Sequence, residues 1–334
     1  MRKEIGSEFW DVPVTDGAND LFPDGAQWYL SGRSALKAII QETGKSRSVC
    51  LPSWCCDSMI QPFAEAGYDI RFYPADQAIG RSLKMDYDCD VLFVMDYFGY
   101  TAPPLTLKAY HGIVIRDVTH SLFSHRYQDA DYYFGSLRKW CSVGTGGFAW
   151  SGDGHPLPDG KETDDEYVAL RTQAMSLKKD YVEGKPGADK SYLKLFNEAE
   201  ERLENIGIVR AAERDIRLAK KIDAEFIRIQ RRRNAQILRQ AFPDWLIFPE
   251  MRETDCPMFV PVLVPNGKRD ELRRYLIRHD IYCPVHWPMS DFHHLDEQER
   301  SVYENELSLV CDQRYTEQDM NRFVKMIDHW MEAQ

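Results

Sequence analysis

The sequence predicts an α/β protein, a mainly parallel sheet covered on both faces, followed by a small α+β unit at the carboxyl end. Three observations predict it. Short apolar runs, several rich in β-branched residues, recur at 48–51, 68–73, 91–96, 113–117, 130–134 and 147–150. Runs that are continuous rather than alternating fit strands buried on both faces. Helical or crossover-length segments separate them, the pattern of parallel strands joined by crossovers. After Pro243 shorter strand and helix signals alternate in a compact stretch of their own.

Taken in order, residues 31–43 read as a helix, with Ser31 at the N-cap and Leu36, Ile39 and Ile40 as an apolar stripe. Residues 53–66 read as a second helix that ends at Gly67. Residues 151–190 are polar and rich in Gly, Pro, Asp and Lys, which predicts a mobile loop with a helix inside it. Residues 192–205 and 209–242 carry apolar positions at helical spacing and predict two helices. The run Arg231-Arg232-Arg233 reads as a solvated helix face. Beyond it come a strand at 257–264, a helix at 268–279, strands at 281–286 and 307–311, and a last helix at 316–331. The 334 residues suggest about two domains. The expected division is a large domain over 1–240 and a small one over 241–334. The helices of 191–240 offer amphipathic surface, either to a second subunit or to the sheet itself.

Charge narrows the function. There are 42 Lys and Arg against 53 Asp and Glu, a net charge of −11. That balance argues against nucleic acid and against anionic membranes, both of which select clustered cations. No apolar run approaches the ~18 residues of a membrane span. No signal-peptide pattern follows Met1, so a cytoplasmic location is expected. The eight cysteines, Cys50, Cys55, Cys56, Cys89, Cys141, Cys256, Cys283 and Cys311, form no Cys-x-x-Cys pair and read as reduced. His293 and His294, beside Asp291 and Asp296, read as a solvated loop rather than a metal site, and no metal is expected.

Two segments carry chemistry. One is Ile113-Val-Ile-Arg-Asp117-Val-Thr119-His120; the other is Phe134-Gly-Ser136-Leu-Arg-Lys139-Trp140, followed by Gly144-Thr-Gly-Gly147. Carboxyl ends of parallel strands face the ligand crevice, so Asp117 is expected there. Ser136 and Lys139 lie close enough in a turn to reach one ligand. A lysine amine, a carboxylate for a pyridine nitrogen, and a hydroxyl with helix-start N–H groups for a phosphate are what pyridoxal phosphate requires. The helix start at Ser31-Gly32-Arg33-Ser34 offers such N–H groups.

The ordered set of motifs resembles the DegT/DnrJ/EryC1/StrS aminotransferases, which are fold-type-I pyridoxal-phosphate enzymes. The resemblance rests on Ser31-Gly-Arg-Ser-Ala-Leu36, Leu51-Pro-Ser-Trp-Cys-Cys56, Asp96-Tyr-Phe-Gly99, Arg116-Asp-Val-Thr-His120, Gly135-Ser-Leu-Arg-Lys139, Tyr282-Cys-Pro-Val-His-Trp-Pro288 and Leu307-Ser-Leu-Val-Cys-Asp-Gln-Arg-Tyr315. It implies an aspartate-aminotransferase-like three-layer αβα large domain and a small carboxyl-terminal one. It implies Lys139 as the lysine that bonds the cofactor and shuttles the proton, and Asp117 as the partner of the ring nitrogen. Thr119 falls under the ring and His120 beside its hydroxyl. Ser136, Gly32, Arg33 and Ser34 match the phosphate site. Cys56 falls where relatives place an aromatic ring over the cofactor. Tyr97 and His286 approach the substrate.

The implied reaction moves an amino group from an amino acid, glutamate foremost, to a keto or aldehyde acceptor such as a nucleotide-linked sugar. The implied assembly is a homodimer with the active site at the interface. Arg116 stands where many relatives have Glu, and the run Gly135-Ser136-Leu137-Arg138-Lys139 stands where many carry Ser-Phe-His-x-x-Lys, which leaves the sugar acceptor open. Another reaction at an amino acid's α-carbon, or a binding protein on the same fold, also fits the residues. Lys139 argues against the family's dehydratases, which carry His there. A dinucleotide-binding fold is disfavoured, because no Gly-x-Gly-x-x-Gly follows the first strand.

Overall fold

A computed structural model describes residues 4–44, 46–74, 87–100, 110–125, 128–293, 295 and 297–333. In chain order the elements are β1 (Ile5–Gly6), β2 (Gln27–Tyr29), α1 (Gly32–Glu42), β3 (Ser48–Pro52), α2 (Asp57–Glu65), β4 (Asp69–Tyr73), β5 (Val91–Met95), β6 (Ile113–Asp117), β7 (Tyr132–Ser136) and β8 (Gly147–Ser151). Then follow α3 (Asp165–Glu183), α4 (Tyr192–Leu203), α5 (Glu213–Ala219), α6 (Ala224–Ala241), β9 (Phe259–Leu263), α7 (Arg269–Arg278), β10 (Ile281–Tyr282), α8 (Glu297–Asn305), β11 (Glu306–Val310) and α9 (Glu317–Glu332).

The fold is α/β, as the sequence predicts. Seven strands form one sheet in the order β2-β8-β7-β6-β5-β3-β4. From β7 through β4 the pairs are parallel, while β8 is antiparallel to both β7 and β2. Two reversals therefore return β2 to the direction of β7. The helix start after β2 then opens at the same sheet edge as the carboxyl ends of β6 and β7. Central strand β5, Val-Leu-Phe-Val-Met, is buried at every position, which both-face coverage explains. One face packs on α1 and α2 through Leu36, Ile39, Ile60 and Phe63. The other packs Val118, Leu122, Trp140 and Phe148 against Ile227 of α6.

A second core lies around the antiparallel pair β9–β11, with α7 and α9. Its members include Ala235 and Leu238, so α6 joins the sheet's core at one end and this core at the other. The amino-terminal β1 pairs in parallel with β10, Ile5 opposite Ile281.

Several expectations are corrected. Residues 209–242 are not one helix. Leu30 N–H donates to Val209 O at 2.8 Å, which holds 209 extended, and Asn19 Nδ2 donates to Ala219 O and Ile222 O, closing α5. Asp223 then caps a new helix by accepting the Phe226 N–H at 2.9 Å. Residues 151–190 are dominated by the nineteen-residue α3, capped by Asp164 and closed by Gly184 in the left-handed conformation. It escaped its pattern because two of its buried residues are cations, Arg171 and Lys178. Helix α2 starts at Asp57, not 53. The strand expected at 281–286 stops at Tyr282, and Pro284 has no N–H to extend it.

The arginine run is a solvated face only in part, since Arg233 is exposed and Arg232 half-buried. Arg231 is buried, its guanidinium 4.4 Å over the Trp140 ring and its Nε donating to Gln313 Oε1 at 2.7 Å. His293 is no solvated loop residue either. It is half-buried against Phe72, its Nε2 3.4 Å from the Tyr303 hydroxyl. His294 and Asp296 lie outside the described residues, among which no group of metal-ligating side chains gathers. All eight cysteines are free thiols. No helix among the described residues is long and apolar enough to cross a membrane.

Candidate active site

At the edge where β6, β7 and the start of α1 meet lies a cavity of about 500 Å³. Ser31, Gly32, Cys56, Asp117, Thr119, His120, Ser136 and Lys139 line it. A second cavity of about 590 Å³ lies towards the small core and is lined by Arg171, Phe259, His286 and Arg314 among others. The two share His120, Arg138, Lys139, Glu200 and Trp287, so Lys139 stands where they join.

Each wall residue is set by its local backbone. Asp117 ends β6 and is buried, accepting the Thr119 N–H at 2.8 Å. Burial pushes its carboxyl up to about 6 against the opposing Thr119 bonds. His120 follows three residues on. Its Nδ1 accepts the Phe98 N–H at 3.3 Å, and burial, then the Lys139 cation, pushes it down to about 3. The ring is thus neutral with its hydrogen on Nε2. Lys139 closes a single 3₁₀ turn after β7, anchored by buried Leu137 and Trp140, and its own side chain is exposed to the cavity. Leu137 N–H donates to Gly146 O at 2.8 Å, and the Trp140 Nε1 donates to Thr119 O at 2.5 Å. These bonds tie the Lys139 turn to the Asp117 strand end.

Helix α1 presents its first N–H groups to the same cavity. Ser31 caps only the Ser34 N–H. Gly32 lies close to Ser136, where a Cβ would make a tight 3.3 Å contact with the Ser136 Cβ. Gly147 is required outright, since a Cβ on it would stand 2.0 Å from the Ser31 carbonyl oxygen.

The structure separates the residues singled out in the sequence. Lys139, Asp117, Thr119, His120, Ser136, Cys56, Gly32 and Arg33 share the first cavity, and His286 lines the second. Arg33 donates from its guanidinium to the carbonyl of Leu203, a residue that also lines this cavity, at 2.5 Å. Ser34 does not line it. Its hydroxyl donates to Gly207 O at 2.7 Å and accepts the Val209 N–H at 2.8 Å. Tyr97 lines neither cavity. It stacks on Trp54, ring centroids 5.1 Å apart, and its hydroxyl donates to Trp54 O. Both are packing residues, and neither they nor Trp54 covers the site. Cys56 caps α2, with Sγ 2.8 Å from Ser58 Oγ.

Sequence reasoning missed Trp287, whose ring lies parallel to His120 with centroids 5.9 Å apart and lines both cavities. Its place between His286 and Pro288, inside a quoted motif, was the available signal. It also missed Glu200, ion-paired with Arg138 and 3.4 Å from Arg171. Burial works against the Glu200 carboxylate, but Arg138, Lys139 and Arg171 together hold it low.

The residues present fit pyridoxal phosphate. A buried carboxyl, an accessible amine, and a hydroxyl beside a helix start whose Gly32 clears the approach all face one cavity of ligand size.

No protein-family model matches the sequence, and no curated protein sequence matches it. Solved structures do. A DegT DnrJ EryC1 StrS aminotransferase from Brucella abortus aligns with TM-score 0.61 at 17% identity, over 91% of this chain and 85% of that one. Helicobacter pylori PseC, an aminotransferase involved in the biosynthesis of pseudoaminic acid, aligns with TM-score 0.65 at 13% identity, over 98% and 100%. The sugar aminotransferase CalS13 from Micromonospora echinospora gives TM-score 0.57 at 14% identity, over 91% and 86%. The chain has the fold of these aminotransferases along nearly its whole length.

Proposed function

We propose that the protein is a pyridoxal-phosphate-dependent aminotransferase of the DegT/DnrJ/EryC1/StrS type. It would move an amino group from an amino acid, glutamate foremost, to a keto or aldehyde acceptor, sugar-derived as in the similar enzymes. The observation that carries this is the convergence of Lys139 and Asp117 on one cavity from the ends of adjacent strands.

When bound, pyridoxal phosphate supplies a carbonyl that takes up an amine and a ring that holds the electron pair released at the donor's α-carbon. The chain does the rest. Lys139 Nζ would hold the group and would serve as the general base and acid that moves a proton beside it. The Asp117 carboxylate holds the proton on the ring nitrogen. His120 Nε2–H donates to the ring hydroxyl, and its neutrality keeps a second cation out of the site. Ser136 and the N–H groups of Gly32 and Arg33 hold the phosphate. Thr119 and Cys56 bound the ring, and Trp287 closes the cavity on the side of the small core.

Donor and acceptor enter through the second cavity, past His286. The proposal includes a homodimer with its sites at the interface. Exposed Phe226 and Ile229 on α6 supply apolar surface for it, and light scattering on the purified protein checks it. The direct test of function is spectroscopic. The purified protein should be yellow, and Lys139→Ala should remove the visible band. Glutamate alone should bleach the band, because transfer occurs in two separable halves. Protein that stays colourless with added cofactor overturns the proposal, and a band that no amino acid bleaches overturns the transferase.

A further inference from the structure

Strand β11 places Glu306 and Ser308 two residues apart, hence on one face, alongside residues 284–286. Both are completely buried. Glu306 Oε2 accepts the His286 backbone N–H at 2.7 Å. Its Oε1 lies 2.6 Å from Ser308 Oγ, and Ser308 Oγ lies 2.8 Å from His286 Nδ1. Carboxyl, hydroxyl and imidazole thus form a continuous chain, and it ends on a side chain that lines the second cavity.

The chain has a direction. A serine hydroxyl has one hydrogen to give. If Ser308 donates to Glu306, His286 must donate from Nδ1, and Nε2 faces the cavity as a bare acceptor. If Glu306 carries a proton, it donates to Ser308, Ser308 donates to Nδ1, and Nε2 carries the hydrogen. Among the described residues no Lys or Arg pairs with the Glu306 carboxyl. Arg269, whose charge reaches Glu306, donates instead to the backbone carbonyls of Tyr303 and Glu306. A fully buried carboxyl without a cation favours its protonated form.

We propose that Glu306 and Ser308 are positioning residues that hold His286 as an Nε2–H donor towards the substrate cavity. That cavity then recognises an acceptor oxygen of the substrate, a carboxylate or a carbonyl, rather than a hydroxyl donor. The inference rests on the proposed aminotransferase reading and adds to it the polarity demanded of the substrate. Burial pushes Glu306 up to about 8, with the His286 N–H, the Ser308 bond and Arg269 opposing. Burial, then His120, then Lys139 keep His286 neutral, well below the usual histidine range. The buried Cys283 thiol also faces Glu306, and burial pushes that thiol up, so it stays neutral. Near pH 8 Glu306 releases a proton to solvent and the Ser308 hydrogen turns towards it. Solvent exchange then moves the imidazole hydrogen from Nε2 to Nδ1.

The test is the tautomer of His286, read by ¹⁵N NMR of the holoprotein from pH 6 to 9.5. Wild type should carry its hydrogen on Nε2 below pH 8 and on Nδ1 above it. Glu306→Gln supplies an amide that donates to Ser308 and a carbonyl that accepts the His286 N–H, so it should lock the Nε2–H form throughout. In the bleaching half-reaction, the wild-type KM for glutamate relative to that of E306Q should rise about tenfold from pH 7 to pH 9, the worth of one hydrogen bond. Ser308→Ala, a smaller change, should uncouple the tautomer from pH. A wild-type tautomer that ignores pH, or one that switches identically in E306Q or S308A, overturns the relay. A relay that switches in a protein without the Lys139-dependent band would instead sink the proposed function and leave the relay standing.

Discussion

The two walls of the joined cavity are built differently. The sheet-side wall centres on three short stretches, 31–33, 117–120 and 136–139, at strand ends and a helix start, and residues of 56–59 and of α4 and the residue after it complete it. The opposite wall is assembled from segments far apart in sequence: residues 6–9, Arg171, 282–287 and 310–314. Its pieces are fastened by long side chains. Arg314 pairs with Asp312 at 2.8 Å and donates to Glu8 O at 3.0 Å. The difference separates two tasks. In the proposed function a fixed cofactor geometry suits rigid strand ends, whereas substrate choice would sit on a wall whose segments can change one by one.

The largest way to break this comparison is at Lys139. Lys139→Ala should lower amine transfer by about 10³–10⁴-fold, read as the keto acid formed from glutamate in a single turnover because the visible band is itself lost. Asp117→Asn comes next, with about 10²-fold lost from transfer. The same change should stabilise the cofactor-free chain. Asp117 is raised to about 6 by burial, so the stability of its protonated form is full below the ordinary aspartate range and lost as pH rises through 6. Above pH 6 the Asn variant should therefore be more stable by roughly 1–3 kcal/mol in urea unfolding. Opposite signs in activity and stability would mark Asp117 as placed for chemistry, and a loss of both would mark it as structural.

On the other wall, Glu306→Gln should show its stability effect at higher pH. The protonated carboxyl's contribution is full below the ordinary glutamate range and lost as pH rises through about 8. Unfolding free energies of wild type and variant should diverge by roughly 1–3 kcal/mol between pH 5 and 9, with the variant the more stable at pH 9. Parallel curves would show that Glu306 is ionised throughout.

The two walls also differ in how far the sequence disclosed them. The strand ends were legible because their signals are local: a β-branched run, then Asp117; another run, then Ser136 and Lys139. The helix start at Ser31 announced itself by its cap. What stayed hidden depends on partners distant in sequence. Lys178 looks like a surface lysine until Glu4 and Tyr192 close around it. Arg231 looks solvated until Trp140, Gln313 and Met258 receive it. The Glu306 relay needs Pro284 beside β11, and no periodicity encodes that contact. Tyr97 misled in the opposite direction, since an aromatic two residues after the end of β5 can turn into the core as easily as into the crevice.

The smallest effects discriminate best within the phosphate site, where Ser34 and Ser136 look equivalent in sequence. Ser136 Oγ belongs to a cavity-lining residue beside Gly32, whereas the Ser34 hydroxyl is occupied twice by the 207–209 loop. Ser136→Ala should weaken pyridoxal-phosphate affinity by about tenfold, measured by titration of the visible band, with little change in urea midpoint. Ser34→Ala should leave that affinity within about twofold and cost roughly 1–3 kcal/mol of stability, because the Val209 N–H and Gly207 carbonyl lose a buried partner. If the two variants exchanged behaviours, Ser34 would hold the phosphate and the helix start would have to turn by a residue. That rotation would carry Gly32 off Ser136 and break the approach that brings α1 to the strand ends.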